Sequence, residues 1–242
     1  MTVEPVTPVA PRPVRRAVMA QWWRGVSLLH WPLQPAVAAS LMPATLRPDL
    51  LDGVTYLGVV ALRMERTRLF GSPPVPYLGS FPQINVRLYS VDASGRRGVV
   101  FLSLDSPRLL PSMFARTTLG LPYRWSRMST TSDGDQRRYA CRPGGTDRLS
   151  RMTVEVGDPI PEPGRLEHFL TARWGLHLRG LYLPNEHRPW PLRQARLLAW
   201  DDVLVSAAGL PGVADEPPVS VLYSPGVYTR LGAPVSAAVR TG

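Results

Sequence analysis

Short runs of β-branched and aromatic residues, several alternating with polar residues, dominate the hydrophobic pattern of the chain. Such runs, bounded by Gly, Pro or Asp, are typical of β-strands. They span residues 54–62, 84–91, 98–104, 151–156 and 219–224. The polar segment 92–98, between the second and third runs, is short and contains two glycines. It therefore predicts an antiparallel hairpin.

Helical patterns are fewer and shorter. We predict helices within residues 35–42, 106–120, 163–175 and 201–211. The third segment has the clearest pattern, an apolar stripe at helical spacing. The stripe consists of Leu166, Phe169, Leu170 and Trp174. Because the 27 prolines disfavour long helices, we expect an α+β fold that is mainly antiparallel β and barrel-like, with a few short helices.

The chain has 242 residues, enough for one large domain with a core. Residues 1–14 are rich in proline and lack periodicity, which predicts a flexible extended arm. The Pro, Gly and Asp residues of 210–218 form a segment short enough to be a surface loop. We therefore predict one domain over residues 15–242 after the arm.

The formal net charge of +10 makes nucleic acid a partner to consider. All 28 basic residues are arginine, a bias more typical of a GC-rich genome than of a binding adaptation. They are dispersed, with no basic run and no recognisable nucleic-acid motif. The sequence therefore argues against nucleic acid as a partner.

Export and membrane signals are not evident. Residues 25–46 carry no formal charge, but Pro32, Pro35 and Pro43 interrupt them, so they do not form the ~20 apolar helical residues of a membrane span. The single cysteine, Cys141, excludes an internal disulfide and is compatible with a reducing compartment. We expect a cytoplasmic protein without a membrane partner.

The segment from Gln83 to Tyr89 has a period of two, so a strand here would have two different faces. One face is apolar, and the other carries Gln83, Asn85, Arg87 and Tyr89. Two interpretations stay open: a solvated face, or one wall of a polar cavity. In the second, the amides supply directional donors and Arg87 binds a carboxylate in bidentate fashion.

The run FPQINVRLYSVDASGRRGVVFLSLD…ARTTLGLPYRWSRM, residues 81–128, resembles the core of the YqjF-like proteins. These are an uncharacterised bacterial family of the acetoacetate-decarboxylase-like superfamily. Matching segments extend the resemblance over residues 20–232. It implies one domain, a large curved antiparallel sheet closed into a cone-like barrel around an interior pocket.

The same resemblance aligns Pro122-Tyr123-Arg124 with the turn that carries the Schiff-base lysine of acetoacetate decarboxylase. Tyr123 then stands where that nucleophile would be, with Arg124 beside it. Arginine does not form Schiff bases and stays protonated, and the chain contains no lysine. The decarboxylation mechanism of the superfamily is therefore excluded. In addition, Gln83 stands where the relatives commonly have a glutamate.

Other chemistries find little support. The chain has no nucleophile elbow, phosphate-binding loop or dinucleotide fingerprint. Its four histidines, His30, His168, His177 and His187, do not form a zinc-binding spacing. Cys141 has no identifiable base beside it, which favours a buried or incidental thiol. We predict no metal and no cofactor.

We therefore expect an interior pocket for a small organic acid or carbonyl compound. Its predicted lining is Gln83, Asn85, Arg87, Tyr123 and Arg124. If the protein is an enzyme, a lysine-independent lyase or isomerase is the expected form, with Tyr123 as proton donor and arginine stabilising the oxyanion. A non-catalytic binding or sensor protein is the alternative, and nucleic-acid association a weaker one.

The sequence leaves two further points open. One is whether the protein forms a homo-oligomer. The other is whether Tyr123 and Arg124 line the pocket at all. In the competing interpretation Tyr123 is packed in the core and Arg124 pairs with an acid such as Asp105.

Overall fold

The structure is a computed structural model that describes residues 2–76, 79–108 and 120–237. In these residues the chain forms three short helices and thirteen strands. The helices are α1 (Pro35–Ser40), α2 (Arg165–Thr171) and α3 (Leu204–Ala207). The strands are β1 (Ala17–Leu33), β2 (Arg47–Pro48), β3 (Thr55–Leu69), β4 (Phe81–Val91), β5 (Arg97–Ser106), β6 (Tyr123–Asp133), β7 (Gln136–Pro143), β8 (Ser150–Pro159), β9 (Gly175–Leu178), β10 (Leu181–Glu186), β11 (Arg193–Asp201), β12 (Ser220–Gly232) and β13 (Val235–Ser236).

The described strands form one sheet that closes on itself twice. Its order is β13-β10-β9-β5-β6-β7-β8-β11-β12-β1-β3-β4-β2, and β4 also pairs with β5 and β10 with β12. The first closure makes a nine-strand barrel of β1, β3–β8, β11 and β12. The second makes a seven-strand ring, in which β9 and β10 join the wall β12-β1-β3-β4-β5 shared by both. The predicted mainly antiparallel barrel is confirmed, although β5 pairs in parallel with both β6 and β9.

An apolar core fills the nine-strand barrel. All nine strands contribute buried or partly buried side chains to it, including Val59 of β3, Val86 of β4 and Val154 of β8. Leu204 and Val205 of α3 pack into the same core. The core of the nine-strand barrel is therefore mainly hydrophobic, and Gln83, Asn85 and Arg87 of β4 lie on the other side of the shared wall.

The longest strand, β1, was not predicted from the sequence. Its pairing is irregular at Gly25, where the register with β3 shifts between Arg24 and Ser27, as at a β-bulge. Gly226 of β12 faces this point, and a Cβ there would lie 2.0 Å from the carbonyl oxygen of Trp23. Only glycine, which has no Cβ, fits at this close approach of β12 to β1. Gly226 therefore allows the two strands to pair, although a glycine weakens the strand pattern in the sequence.

The helices are shorter than predicted. Helix α1 lies within the predicted 35–42, but 163–175 and 201–211 are helical only over the bounds of α2 and α3. Ser106 belongs to β5, and most of the predicted helix 106–120 lies outside the described residues. None of the described helices is long and apolar enough to cross a membrane.

Residues 2–16 contain no helix or strand, and they contact the body of the protein at several points. The Glu4 amide donates to the carbonyl of Gly95 over 3.0 Å. The Trp174 indole donates to the carbonyl of Thr7 over 3.0 Å. Trp174 belongs to the predicted helix 163–175 but lies beyond the end of the observed helix α2. The division into a flexible arm and one domain stays a prediction.

Candidate ligand-binding site

Strand β4 separates two environments, as its period of two predicts. Val86 and its apolar neighbours face the core of the nine-strand barrel. The opposite face lies inside the seven-strand ring, where Tyr89 packs with the side chains of α2, β9 and β10. Gln83 and Asn85 are only 3% and 4% exposed. This face is therefore buried, and the interpretation as a solvated face is wrong.

Tyr123 lies on the same side of the sheet as Gln83. The Gln83 amide Nε2 donates a hydrogen bond to the phenol oxygen over 2.8 Å. Burial raises the pKa of Tyr123 to about 12, so its hydroxyl stays protonated near neutral pH. Because the phenol oxygen accepts from Gln83, its own proton is free to be donated to another group.

Arg87 is a partly buried cation for which the described part of the chain supplies no acidic partner. Its Nη2 donates to the carbonyl oxygen of Leu170, at the end of α2, over 3.2 Å and to the hydroxyl of Tyr89 over 3.4 Å. Its Nε is buried and has no hydrogen-bond partner among the residues that the structure describes. No described carboxylate lies within ion-pair distance of Arg87. An uncompensated charge of this kind is costly to bury.

Two neighbouring arginines, Arg97 and Arg173, differ from Arg87 because the carboxylate of Asp49 compensates their positive charges. This carboxylate lies 2.5 Å from Nη1 of Arg97 and also pairs with the buried Arg173. The Arg173 guanidinium stacks on the ring of Tyr89, 4.7 Å from its centroid. Arg87 is thus the member of this group whose charge no described acid balances.

His30 is a site residue that the sequence reasoning missed. On β1 it pairs with Gly58 of β3, which in turn pairs with Arg87. Its ring lies 6.1 Å from that of Tyr89. The side chain is fully buried, and neither ring nitrogen makes a hydrogen bond of good geometry among the described residues, although the backbone of Ser220 lies close enough to interact with the ring. The only signal in the sequence is a lone histidine within an apolar run.

Burial lowers the pKa of His30 well below its usual range, and the positive charges of Arg87 and Arg173 lower it further. The interaction of the ring with the backbone of Ser220 raises the pKa of His30, but it offsets only part of the lowering. The imidazole is therefore neutral, with one N–H donor and one lone pair. We refer to His30, Gln83, Asn85, Arg87 and Tyr123 as the polar cluster.

The polar cluster contains four buried polar atoms without a partner in the described part of the chain. They are Nδ1 and Nε2 of His30, Oδ1 of Asn85 and Nε of Arg87. Leaving one such atom unpaired costs about 1–3 kcal/mol. Buried polar groups are usually paired, so the cluster has the hydrogen-bonding capacity for a small polar molecule with both donor and acceptor groups.

The structure does not bring Arg124 into this cluster. Successive residues of a strand point to opposite faces, so Arg124 points away from the side of Tyr123. Its Nη2 and Nε lie 2.8 and 3.1 Å from the carboxylate oxygens of Asp105, and Ser126 donates to the same carboxylate over 2.7 Å. The predicted convergence of Arg87 and Arg124 is replaced by the competing interpretation, the pairing with Asp105.

Cys141 is poorly suited to act as a nucleophile. Cys141 is fully buried in the barrel core, and burial raises the pKa of its thiol to about 12. This agrees with the interpretation as a buried thiol. Among the described residues no three His, Cys, Asp or Glu side chains are grouped closely enough to hold a metal ion.

A cavity of 390 Å³ lies beside α2. Its lining includes Arg97, Arg165, His168 and Phe169. The ring of Phe169 also contacts Tyr89, with 5.7 Å between centroids. Phe169 therefore contacts both this cavity and Tyr89, on the strand face that also carries Arg87.

Comparisons with known proteins agree with the predicted resemblance. Residues 20–228 match the model of the DUF2071 family, described as an uncharacterized conserved protein. The uncharacterized protein YqjF of Bacillus subtilis (strain 168) is 27% identical over 200 residues, which are 80% of this chain and 82% of YqjF. The predicted assignment to the YqjF-like proteins is confirmed.

Solved structures with the same fold include two named enzymes. The enduracididine biosynthesis enzyme MppR, solved with pyruvate, has a TM-score of 0.64 and 13% identity, with 91% of each chain covered. The acetoacetate decarboxylase of Legionella pneumophila has a TM-score of 0.62 and 14% identity, covering 96% of this chain and 94% of its own. At these identities the likeness shows the fold alone.

Proposed function

The chain belongs to the DUF2071 family of uncharacterised conserved proteins, and we propose that its polar cluster binds a small organic acid or carbonyl compound. The observation that carries this proposal is the Nε of Arg87, which has no partner among the described residues, on the same side of the wall as the ring nitrogens of His30, which make no hydrogen bond of good geometry there. A carboxylate accepting from the Arg87 guanidinium would supply the missing negative charge. Charge-assisted hydrogen bonds of this kind contribute about 1.5–3 kcal/mol each.

A carbonyl oxygen on the same ligand would accept a hydrogen bond from Tyr123. The phenol is suited to this role because its proton is not used in the bond with Gln83. Asn85 adds an amide that can donate to or accept from the ligand. Together these groups favour a ligand that carries a carboxylate and a carbonyl a few bonds apart.

The cluster also has the parts of an acid–base pair. Neutral His30 would accept a proton from the carbon next to the ligand carbonyl, while Tyr123 donates its proton to the carbonyl oxygen, which gives an enol. Return of the two protons to other positions would complete an isomerisation. The carboxylate on Arg87 would offset the positive charge that otherwise disfavours protonated His30. No lysine takes part, consistent with a chain that contains none.

The fold neighbours support a small oxo acid as the ligand class. MppR has been solved with pyruvate, so a chain of this fold accommodates a three-carbon oxo acid. The non-catalytic alternative, a binding or sensor protein, uses the same cluster without proton transfer. The two functions differ in one measurable property, the exchange of ligand protons with solvent.

Binding is tested first, by thermal shift and calorimetry with a panel of small 2-oxo and 3-oxo acids that includes pyruvate and acetoacetate. Arg87→Met should weaken binding by about tenfold to a hundredfold or more. Arg196→Met, which removes an exposed arginine of β11, is the control and should bind like the parent. Equal binding by the Arg87→Met variant would show that the ligand does not use this cluster.

Catalysis is tested by the exchange of pyruvate methyl protons in D₂O, followed by NMR. We expect the parent protein to accelerate exchange, and His30→Gln and Tyr123→Phe to lose about 10²–10⁴-fold of the acceleration. Binding without exchange in the parent would favour the sensor function. Exchange that survives in both variants would remove His30 and Tyr123 from the proposed acid–base pair.

A further inference from the structure

A second cleft lies at the surface, away from the polar cluster. It has a volume of 1260 Å³. The walls come from the N-terminal arm, the second half of β3, the segment after β10 and the second half of β12. Its lining includes Trp22, Arg66, Arg68, Glu186, Arg188, Tyr228 and Arg230.

The cleft is strongly basic. Four arginines and a single glutamate line it, and Glu186 is already engaged by Arg230 over 2.5 Å and by the amide of Val14 over 2.6 Å. Arg66, Arg68 and Arg188 have no carboxylate partner in the part of the chain that the structure describes. The fold thus brings Arg66 and Arg68 close to Arg188 and Arg230, which are far from them in the sequence. In the sequence analysis, the dispersion of the arginines argued against an anionic partner.

Aromatic rings accompany these charges. Trp22 and Tyr228 are Cα partners on β1 and β12, and their ring centroids are 5.3 Å apart. Tyr228 is 39% exposed. The Arg24 guanidinium lies over the Trp22 ring, 4.0 Å from its centroid. Arginines without a described acidic partner, beside an exposed tyrosine that packs on a tryptophan, are the combination that holds phosphates and stacks bases in proteins that bind single strands.

We propose that this cleft binds single-stranded nucleic acid without sequence preference. Arg66, Arg68 and Arg188 would contact phosphates, and Tyr228 would stack on a base. The cleft is larger than the ~300–1,000 Å³ typical of small-ligand pockets, which favours a segment of a strand over a mononucleotide. An acidic peptide would use the arginines but would leave the aromatic pair without a stacking partner.

The test measures fluorescence anisotropy of a fluorescein-labelled dT12 at several salt concentrations. The variant Arg66→Gln/Arg68→Gln removes two cleft arginines. The control Arg151→Gln/Arg196→Gln removes two exposed arginines from β8 and β11, so both proteins lose the same net charge. We expect the cleft variant to bind at least tenfold more weakly and its salt slope to fall by about 1.4, while the control changes less than twofold.

Two further measurements address the nature of the ligand. Tyr228→Ala should weaken dT12 binding by about fivefold or more, and Arg87→Met should leave it unchanged because that residue lies in the polar cluster. Equal weakening by the control pair would attribute binding to net charge and overturn the proposal. So would competition by poly-glutamate or by thymidine monophosphate at the same molar concentration as unlabelled dT12.

Discussion

The side-chain amide of Gln83 on β4 donates to the phenol oxygen of Tyr123 on β6 over 2.8 Å, although β5 lies between the two strands. Leu104 of β5 makes this possible, since its Cα pairs with Asn85 on one side and with Tyr123 on the other. The parallel pairing of β5 with β6 therefore sets the distance between an amide and a phenol that are forty positions apart.

Tyr123→Phe should affect stability and ligand binding together. Without the phenol oxygen the buried Gln83 amide loses its acceptor, which lowers the free energy of unfolding by about 1–3 kcal/mol. Tyr139→Phe is a matched control, because Tyr139 is also buried and its hydroxyl lies 2.8 Å from Oγ of Ser27 in the barrel. Urea unfolding should show similar losses for both variants, and calorimetry should show weaker oxo-acid binding only for Tyr123→Phe.

Gln83→Glu should weaken binding of a carboxylate ligand while keeping the shape of the site. A glutamate at this position would add negative charge near the carboxylate expected on Arg87. The weakening should diminish as the pH falls toward the pKa of the new carboxyl group, because its protonation removes the repulsion. Calorimetry at pH 7.5 and pH 5 measures this. A variant that binds as tightly as the parent at both pH values would contradict the assignment of Gln83 to the site.

Arg124→Met and Arg87→Met should have opposite signatures. Removing Arg124 leaves the fully buried Asp105 without its ion-pair partner, and breaking a buried pair in this way costs about 3–5 kcal/mol. Removing Arg87 leaves none of the described carboxylates unpaired, so we expect a smaller loss of stability and a large loss of ligand affinity. Urea unfolding and calorimetry on both variants test this. A stable Arg124→Met variant with weak ligand binding would reverse the two roles.

The case of Arg124 illustrates what the sequence could predict. Runs of β-branched residues located the hairpin of β4 and β5, and the period of two located the polar face of β4, because both are local patterns. Which side of the sheet Tyr123 and Arg124 face depends on how β6 pairs with β5, a contact between distant segments. The family resemblance covers both Tyr123 and Arg124, so it could not show that their side chains point to opposite sides of the sheet.

His30 is a site residue that local sequence patterns could not identify. Its neighbours along β1 are apolar, so the local pattern resembles a buried strand with one incidental polar residue. Its relation to Arg87 follows from the pairing of β1 with β3 and of β3 with β4 through Gly58. Spacing rules for histidines detect groups of residues that are close in the sequence. The site around His30 instead combines residues from three strands.

Two other histidines are buried and neutral in the folded protein. Burial lowers the pKa of both His177 and His187 to about 4. His177 lies 3.7 Å from the carboxylate of Asp92, which opposes the shift, and near Arg96, which adds to it. In the unfolded chain both rings would titrate near 6.5.

The free energy of unfolding should therefore fall as the pH drops from about 6.5 to about 4. In this window the unfolded chain binds more protons than the folded protein, so acid favours unfolding, and the stabilisation is complete only above the unfolded pKa. Each ring contributes about 3 kcal/mol across the window. Urea unfolding at half-unit pH intervals measures the slope, and His187→Gln should reduce it by up to about 1.4 kcal/mol per pH unit. A parent protein with constant stability between pH 4.5 and 6.5 would contradict this account, because these rings would then titrate alike in both states.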